Sequence, residues 1–265
     1  MRPSILVLLI GAGCSSGLVV DRRTPEVRVA VGIAAVPVPV PPKDTSCLPG
    51  QIRIEGFCID QYEAYVVELD ERGEERAHSP YDAVNALRVR AKVAANVVPQ
   101  AYISQIQAGE ACAHAGKRLC TTEEFLRACR GPGDAAFYPY GGRQRIDGIC
   151  NEGKGSFVAL TFGQNAEKWT YADFNDPKLN QLENGLARTG AYASCVSPDG
   201  AFDMVGNLHE WVDESAGPND HGQFRGGFYG DAQLNGPGCM YVTSAHERTY
   251  HDYSTGFRCC ANASD

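Results

Sequence analysis

Asp203 and Glu210 stand seven residues apart in Gly200-Ala-Phe-Asp-Met-Val-Gly-Asn-Leu-His-Glu-Trp211, with Gly206-Asn207 between them. The two carboxylates supply hard anionic oxygens, and the Gly-Asn step lets the backbone turn its carbonyls inward. Calcium takes such an all-oxygen set, although the spacing is not that of an EF-hand. A turn or cap role is the plain alternative for each acid. A second group of ligand-type residues is His246, Glu247 and His251, with His209 and His221 nearer the acidic pair. A two-histidine, one-carboxylate iron site needs such side chains to converge. The five-residue separation of His246 and His251 fits neither one helical turn nor one strand face. Surface or hydrogen-bonded histidines are therefore expected.

Sulfur is the other reactive element. Eleven cysteines occur, at 14, 47, 58, 112, 120, 129, 150, 195, 239, 259 and 260. Setting Cys14 aside leaves an even set able to form five disulfides, a density normal in oxidising compartments and unusual in the cytosol. Zinc is the rival reading, but there is no C-x-x-C pair. Cys47 with Cys58, and Cys150 with Cys195, would each close a local loop. Adjacent Cys259 and Cys260 point to opposite sides of an extended strand, so they should tie to different partners.

The first ten residues carry one positive charge and an apolar run too short to span a bilayer, followed by Gly11-Ala12-Gly13 and Cys14. That order predicts a bacterial export signal over 1–13, with lipid on Cys14 as a membrane anchor. Ordinary cleavage near Cys14 or Gly17 is the alternative. Ser15 after the cysteine leaves outer-membrane sorting open. An extracytoplasmic protein, at the outer membrane or cell surface, is expected. The net charge of −8 and the scattered basic residues exclude a nucleic-acid footprint.

These groups must be positioned by a domain starting near Cys47. Residues 14–46 include Val36-Pro-Val-Pro-Val-Pro-Pro42, an extended spacer, which leaves 47–265 as the folded part. A hydrophobic share of 43% is ample for a core, while 29 glycines and 15 prolines predict many turns and little regular structure. Gln51–Glu55 and Phe57–Glu63 read as short strands, and 68–75 as a solvated hairpin tip around Gly73. Ile103, Ile106, Cys112 and Ala115 fit one helix face ending at Gly116. Thr121-Thr-Glu-Glu124 has the spacing of a capping box for a second helix, carrying Phe125, Leu126 and Cys129 up to Gly131. The fold class is irregular α+β. Trp211 and Phe228 are expected in the core, and Arg225 and Arg258 are expected to meet buried carboxylates or carbonyls.

Several segments together resemble the formylglycine-generating enzyme family, also called sulfatase-modifying factors. They are Phe57-Cys-Ile-Asp-Gln-Tyr-Glu63, Ala111-Cys-Ala-His-Ala-Gly-Lys-Arg-Leu119 with Thr121-Thr-Glu-Glu-Phe125, and Tyr138-Pro-Tyr-Gly141 with Cys150-Asn151. The Gly200–Trp211 segment, Arg225-Gly-Gly-Phe228 and Gly256-Phe-Arg258 complete the set. The resemblance runs from about Cys47 to Cys260 and implies a fold distantly related to C-type lectins. It implies a Cys112–Cys259 bridge, leaving Cys120, Cys129, Cys239 and Cys260 to share two bonds. It also implies structural calcium at the side chains of Asp203 and Glu210 with the carbonyls of Gly206 and Leu208. A second ion would take the Asn151 side chain and the Glu152 carbonyl, with Asp176 as the candidate third ligand.

Catalytic members of that family hold copper(I) on two thiolates spaced C-x4-C after the Arg-Gly-Gly strand. Here Cys239-Met-Tyr-Val-Thr-Ser244 offers serine at the second position, and a hydroxyl is too hard and too weakly acidic to replace a thiolate. Cys239 is expected in a disulfide, and copper is not expected. The resulting expectation is a non-catalytic domain binding a peptide, a wall component or a partner protein. Tyr241, His246, Tyr250, His251 and Tyr253 would line the groove where the family binds its substrate peptide. The alternative is an active extracytoplasmic oxidase that converts a protein cysteine to formylglycine, or a related metal-dependent oxidation.

Overall fold

A computed structural model describes residues 46–216 and 220–264. The expected export signal, Cys14 and the expected spacer up to residue 45 lie outside the described residues. The chain opens with an antiparallel hairpin of β1 (Gln51–Ile54) and β2 (Phe57–Asp60), in which Gln51 faces Asp60. A separate sheet follows, with β3 (Tyr65–Leu69), β4 (Glu75–Ala77) and β5 (Val89–Lys92) in the order β4-β3-β5. The charged tip is a turn as expected: the Asp70 carboxylate accepts from the Arg72 and Glu74 amides, and Gly73 has φ +80°.

Helix α1 (Gln105–His114) begins at a capping box between Ser104 and Gln107. Its inner face keeps the predicted Cys112 and Ala115 but not Ile106. Gln105, Ala108, Ala111 and Cys112 are buried, whereas Ile106 is 41% exposed and Ile103 precedes the helix. The first turn starts after Ile103, which rotates Ile106 outward. Strand β6 (Arg118–Leu119) leads into α2 (Thr122–Arg130), whose capping box is as expected. The Thr121 hydroxyl accepts from the Glu124 amide at 3.2 Å, and Glu124 Oε2 accepts from the Thr121 amide at 2.9 Å. Gly131 ends the helix at φ +76°, where a Cβ would sit 2.9 Å from Pro198.

Two short helices, α3 (Phe157–Phe162) and α4 (Tyr171–Phe174), punctuate a long irregular stretch. Then β7 (His209–Ala216), β8 (His221–Arg225), β9 (Val242–Thr243) and β10 (Thr255–Phe257) form a sheet ordered β10-β7-β8-β9, with β10 parallel to β7. The last strand, β11 (Cys259–Asn262), belongs to the other four-stranded sheet, ordered β1-β2-β11-β6. Arg258 is thus the single residue between two strands that serve different sheets.

Five disulfides fasten this frame. Cys47–Cys58, Cys150–Cys195 and Cys112–Cys259 form as expected, and the remaining four pair as Cys120–Cys260 and Cys129–Cys239. Cys259 and Cys260 indeed take different partners, one on α1 and one between β6 and α2. A bridge closing a loop of about 100 residues restricts the unfolded chain by roughly 4–5 kcal/mol in the chain-entropy account. Such links stabilise a domain whose strands are only two to eight residues long. This disulfide density points to an oxidising, extracytoplasmic setting. No described helix is long and apolar enough to cross a membrane.

Candidate functional site: an aromatic cleft beside a buried carboxylate cluster

The loop from Asp203 to Glu210 is buried, and three of its residues are left-handed: Asp203 at φ +59°, Gly206 at +78° and Asn207 at +57°. Gly206 has to be glycine, because a Cβ would lie 2.2 Å from the Asn151 carbonyl oxygen. That close approach joins the two loops singled out as calcium sites. The Asn207 amide donates to Asn151 O at 2.8 Å, and Asn151 Nδ2 donates to Asn207 Oδ1 at 2.9 Å. Glu63, from the segment after β2, closes the same network by accepting from Asn207 Nδ2 and from the Leu208 amide.

Arg258 supplies the balancing charge. It donates from Nε and Nη2 to the two oxygens of Glu210, at 2.6 Å each, and its remaining hydrogens reach the carbonyls of Asp60 and Phe202. Asp60 in turn pairs with Lys117 at 2.6 Å. Burial pushes the Glu63 carboxyl well above the usual range, and the charges of Asp203 and Glu210 add to that. Burial likewise raises Asp203, to about 6, against the hydrogen bond from the Gly190 amide. Burial works to lower Arg258, but Glu210, Glu63 and Asp203 together hold it above its ordinary value.

The oxygens nominated for calcium differ in how far they are committed. Both oxygens of Glu210 face Arg258, and Asp203 spends Oδ2 on Gly190. Asn151 Oδ1, in contrast, is buried with no hydrogen-bond partner, beside Glu152, whose Oε1 also lacks one and meets Arg145 Nε at 3.4 Å. Asp176 caps a local turn at the Lys178 amide instead. Among the described residues, no three His, Cys, Asp or Glu side chains gather as a metal group.

On the other side of β7 lies a cleft of about 520 Å³. Of the five groove residues predicted, Tyr241, His246, Tyr250 and Tyr253 line it, whereas His251 turns away and its Nδ1 meets Asn175 Oδ1 at 2.8 Å. The opposite wall comes from the stretch around α4, with Trp169, Tyr171 and Phe174. Phe228, expected in the core, is half-buried and lines this cleft, where its ring meets Tyr253 edge-on. Trp211 is buried as expected, with Nε1 donating to Ile103 O at 2.8 Å. Arg225 reaches the Thr122 hydroxyl at 3.3 Å rather than a carboxylate or carbonyl.

His209 and Asp252 were not assigned to this cleft by sequence reasoning. Burial, and then the neighbouring His246, lowers His209 to about 3, so its imidazole is neutral at physiological pH. Its ring lies among Phe224, Phe228 and Tyr241, and its Nδ1 has no protein partner. Burial lowers His246 too. Asp252 Oδ1 accepts from the Ser254 amide and hydroxyl, and Oδ2 accepts from the Tyr250 hydroxyl at 2.6 Å. No sequence period marks these two residues; the parallel pairing of β10 with β7 sets Thr255 opposite His209 and leaves Asp252, just before β10, on the wall of the same cleft.

Sulfur chemistry is closed in this region. Cys239 is bridged to Cys129, and every cysteine among the described residues sits in one of the five disulfides. Ser244, at the position of the second thiolate, contributes its carbonyl to His221 Nδ1.

An irregular α+β frame, disulfide-fastened and arranged around a Gly-Asn loop of this kind, defines a formylglycine-generating-enzyme-like domain. Residues 23–263 match the sulfatase-modifying factor enzyme 1-like domain, and the chain belongs to that family. Solved structures with a similar fold include a Major Tropism Determinant I1 variant, at 13% identity and TM-score 0.47, covering 82% of this chain and 53% of that one. The crystal structure of CarF is similar at 16% identity and TM-score 0.44, covering 79% of this chain and 87% of that one. The chain spans about half the length of the Major Tropism Determinant chain. No curated protein matches it.

Proposed function

We propose that this family member is an exported, lipid-anchored binding domain whose aromatic cleft receives an extended peptide of a partner protein. The observation that carries the proposal is the contrast between an open cleft walled by Tyr241, Tyr250 and Tyr253 and the bridging of all ten described cysteines. A copper(I) oxidase needs thiolates, and none is free beside this cleft. Aromatic side chains, in turn, give large contact area at low entropy cost. Oxygen uptake on a cysteine-containing peptide, measured after copper loading, tests the proposal against the oxidase alternative. No uptake is expected, and stoichiometric copper with steady oxygen consumption would overturn it.

The anchor and the calcium belong to the same proposal. Cys14 would carry diacylglycerol, so mass spectrometry of the mature N-terminus should find a lipidated cysteine; a free N-terminus near Gly17 would refute this. Calcium would be held at Asn151 and Glu152, where Asn151 Oδ1 is buried and unpartnered and hard oxygen is the preferred ligand. Its role there would be to stiffen loops that have little hydrogen-bonded ladder of their own.

A further inference from the structure

The ten described cysteines are not equally sealed. Nine of them are at most 1% exposed, and Cys47 alone is half-buried. Cys47 and its partner Cys58 both line a hollow of about 240 Å³, with Ser46, Gln51, Asn262 and Ser264 around them. No formally charged side chain lines that hollow. Arg53 stands opposite Cys58 in the β1–β2 hairpin and donates to Ser46 Oγ at 3.1 Å, which sets a positive charge beside the bridge. The bridge also holds less than the others do. It spans 11 residues, against 45 to 147 for the other four, so it constrains the unfolded chain least. The other eight cysteines all belong to hydrophobic core clusters, and Cys47 and Cys58 belong to none. With this bridge open, the β1–β2 pairing remains, and the Ser46 carbonyl still accepts from the Ser264 amide and hydroxyl.

Thiol–disulfide exchange needs a thiolate with access to one sulfur, and it goes faster when the departing thiolate is stabilised. We infer that Cys47–Cys58 is a thiol-exchange site, opened at Cys47 by a dithiol reductant while the other four bridges stay closed. The reductant's thiolate bonds to Cys47 Sγ, and Cys58 leaves as a thiolate beside Arg53. The reductant's second thiol then attacks its own bridged sulfur and frees Cys47. Two electrons and two protons pass to the protein, and the reductant is left as a disulfide. The site lies where the preceding segment joins the domain and shares no lining residue with the aromatic cleft. It is therefore independent of the peptide reading above.

The test is to incubate the oxidised full chain in native buffer with a stepwise series of dithiothreitol, quench with N-ethylmaleimide and map the labels by peptide mass spectrometry. Cys47 and Cys58 should label about tenfold faster than any other cysteine. The species carrying those two labels should keep the near-ultraviolet circular dichroism of the parent. Reduced glutathione, a monothiol, should leave its adduct on Cys47 and none on Cys58 after an acid quench. The double variant Cys47→Ser, Cys58→Ser should take up no label over the dithiothreitol range that labels the parent. All ten thiols appearing together, another bridge opening first, or glutathione on Cys58 would overturn the proposal. So would labelling of the double variant in that range, because it would show that the remaining bridges open unaided.

Discussion

Arg258 grips Glu210 with two hydrogen bonds of 2.6 Å, and neither side chain is more than 2% exposed. The arginine lies between β10 and β11, while the glutamate lies on β7, so this one pair ties the junction of the two four-stranded sheets to the Gly-Asn loop. Buried pairs are costly to break because the survivor is left as an uncompensated charge. Arg258→Met and Glu210→Gln should each lower unfolding free energy by about 3–5 kcal/mol in urea titrations of the oxidised protein. The double variant should lose less than the two losses combined; strict additivity would show that the pair does not act as a unit.

Asp203 gives a pH signature with a definite sign. Its folded-state carboxyl is raised by burial to about 6, above the ordinary aspartate value of 3.8. The folded protein therefore holds the proton more tightly, so this contribution is fully present below about pH 4 and lost as pH rises through about 6. Asp203→Asn retains an oxygen to accept from Gly190 and removes the titration. Its stability relative to the parent should increase by roughly 3 kcal/mol between pH 4 and pH 7. A pH-independent difference between the two proteins would refute this.

Gly206 should tolerate no side chain. Alanine there combines φ +78° with a contact of 2.2 Å to Asn151 O, and left-handed strain alone costs about 1–3 kcal/mol. Gly206→Ala should melt well below the parent, whereas Gly73→Ala, at a tip with open space around it, should lose only the cost of its backbone conformation. Similar losses at the two positions would contradict the close approach of the loops.

Removing the Cys129–Cys239 bridge probes the cleft wall, because Cys239 directly precedes Met240 and Tyr241. The double alanine variant should lose about 2–5 kcal/mol of stability and bind an extended peptide ligand of the cleft more weakly, as read by calorimetry below its melting temperature. Unchanged affinity would separate the bridge from the cleft.

Calcium removal is the remaining measurement. Excess EDTA should lower the melting temperature and added calcium should restore it, since an ion bound only to the native state stabilises it by mass action. A melt indifferent to both would end the calcium proposal at Asn151 and Glu152.

The chain's letters determined what local chemistry can encode. The capping box at Thr121–Glu124, the glycine stop at Gly131, the hairpin tip at Gly73 and an even set of ten cysteines all depend on neighbours in sequence or on simple counting. Family motifs added the Cys112–Cys259 bridge. Only the tertiary structure decided that Cys120 pairs with Cys260 and Cys129 with Cys239, since bridges across more than 100 residues leave no local mark. The same holds for the site. Ile106 turned outward because the helix began one residue after Ser104, and Phe228 packs on a core cluster while its ring also lines the cleft. Asp252 and His209 line one cleft because β10 pairs in parallel with β7, and hydrophobic periodicity within either strand cannot specify its neighbour.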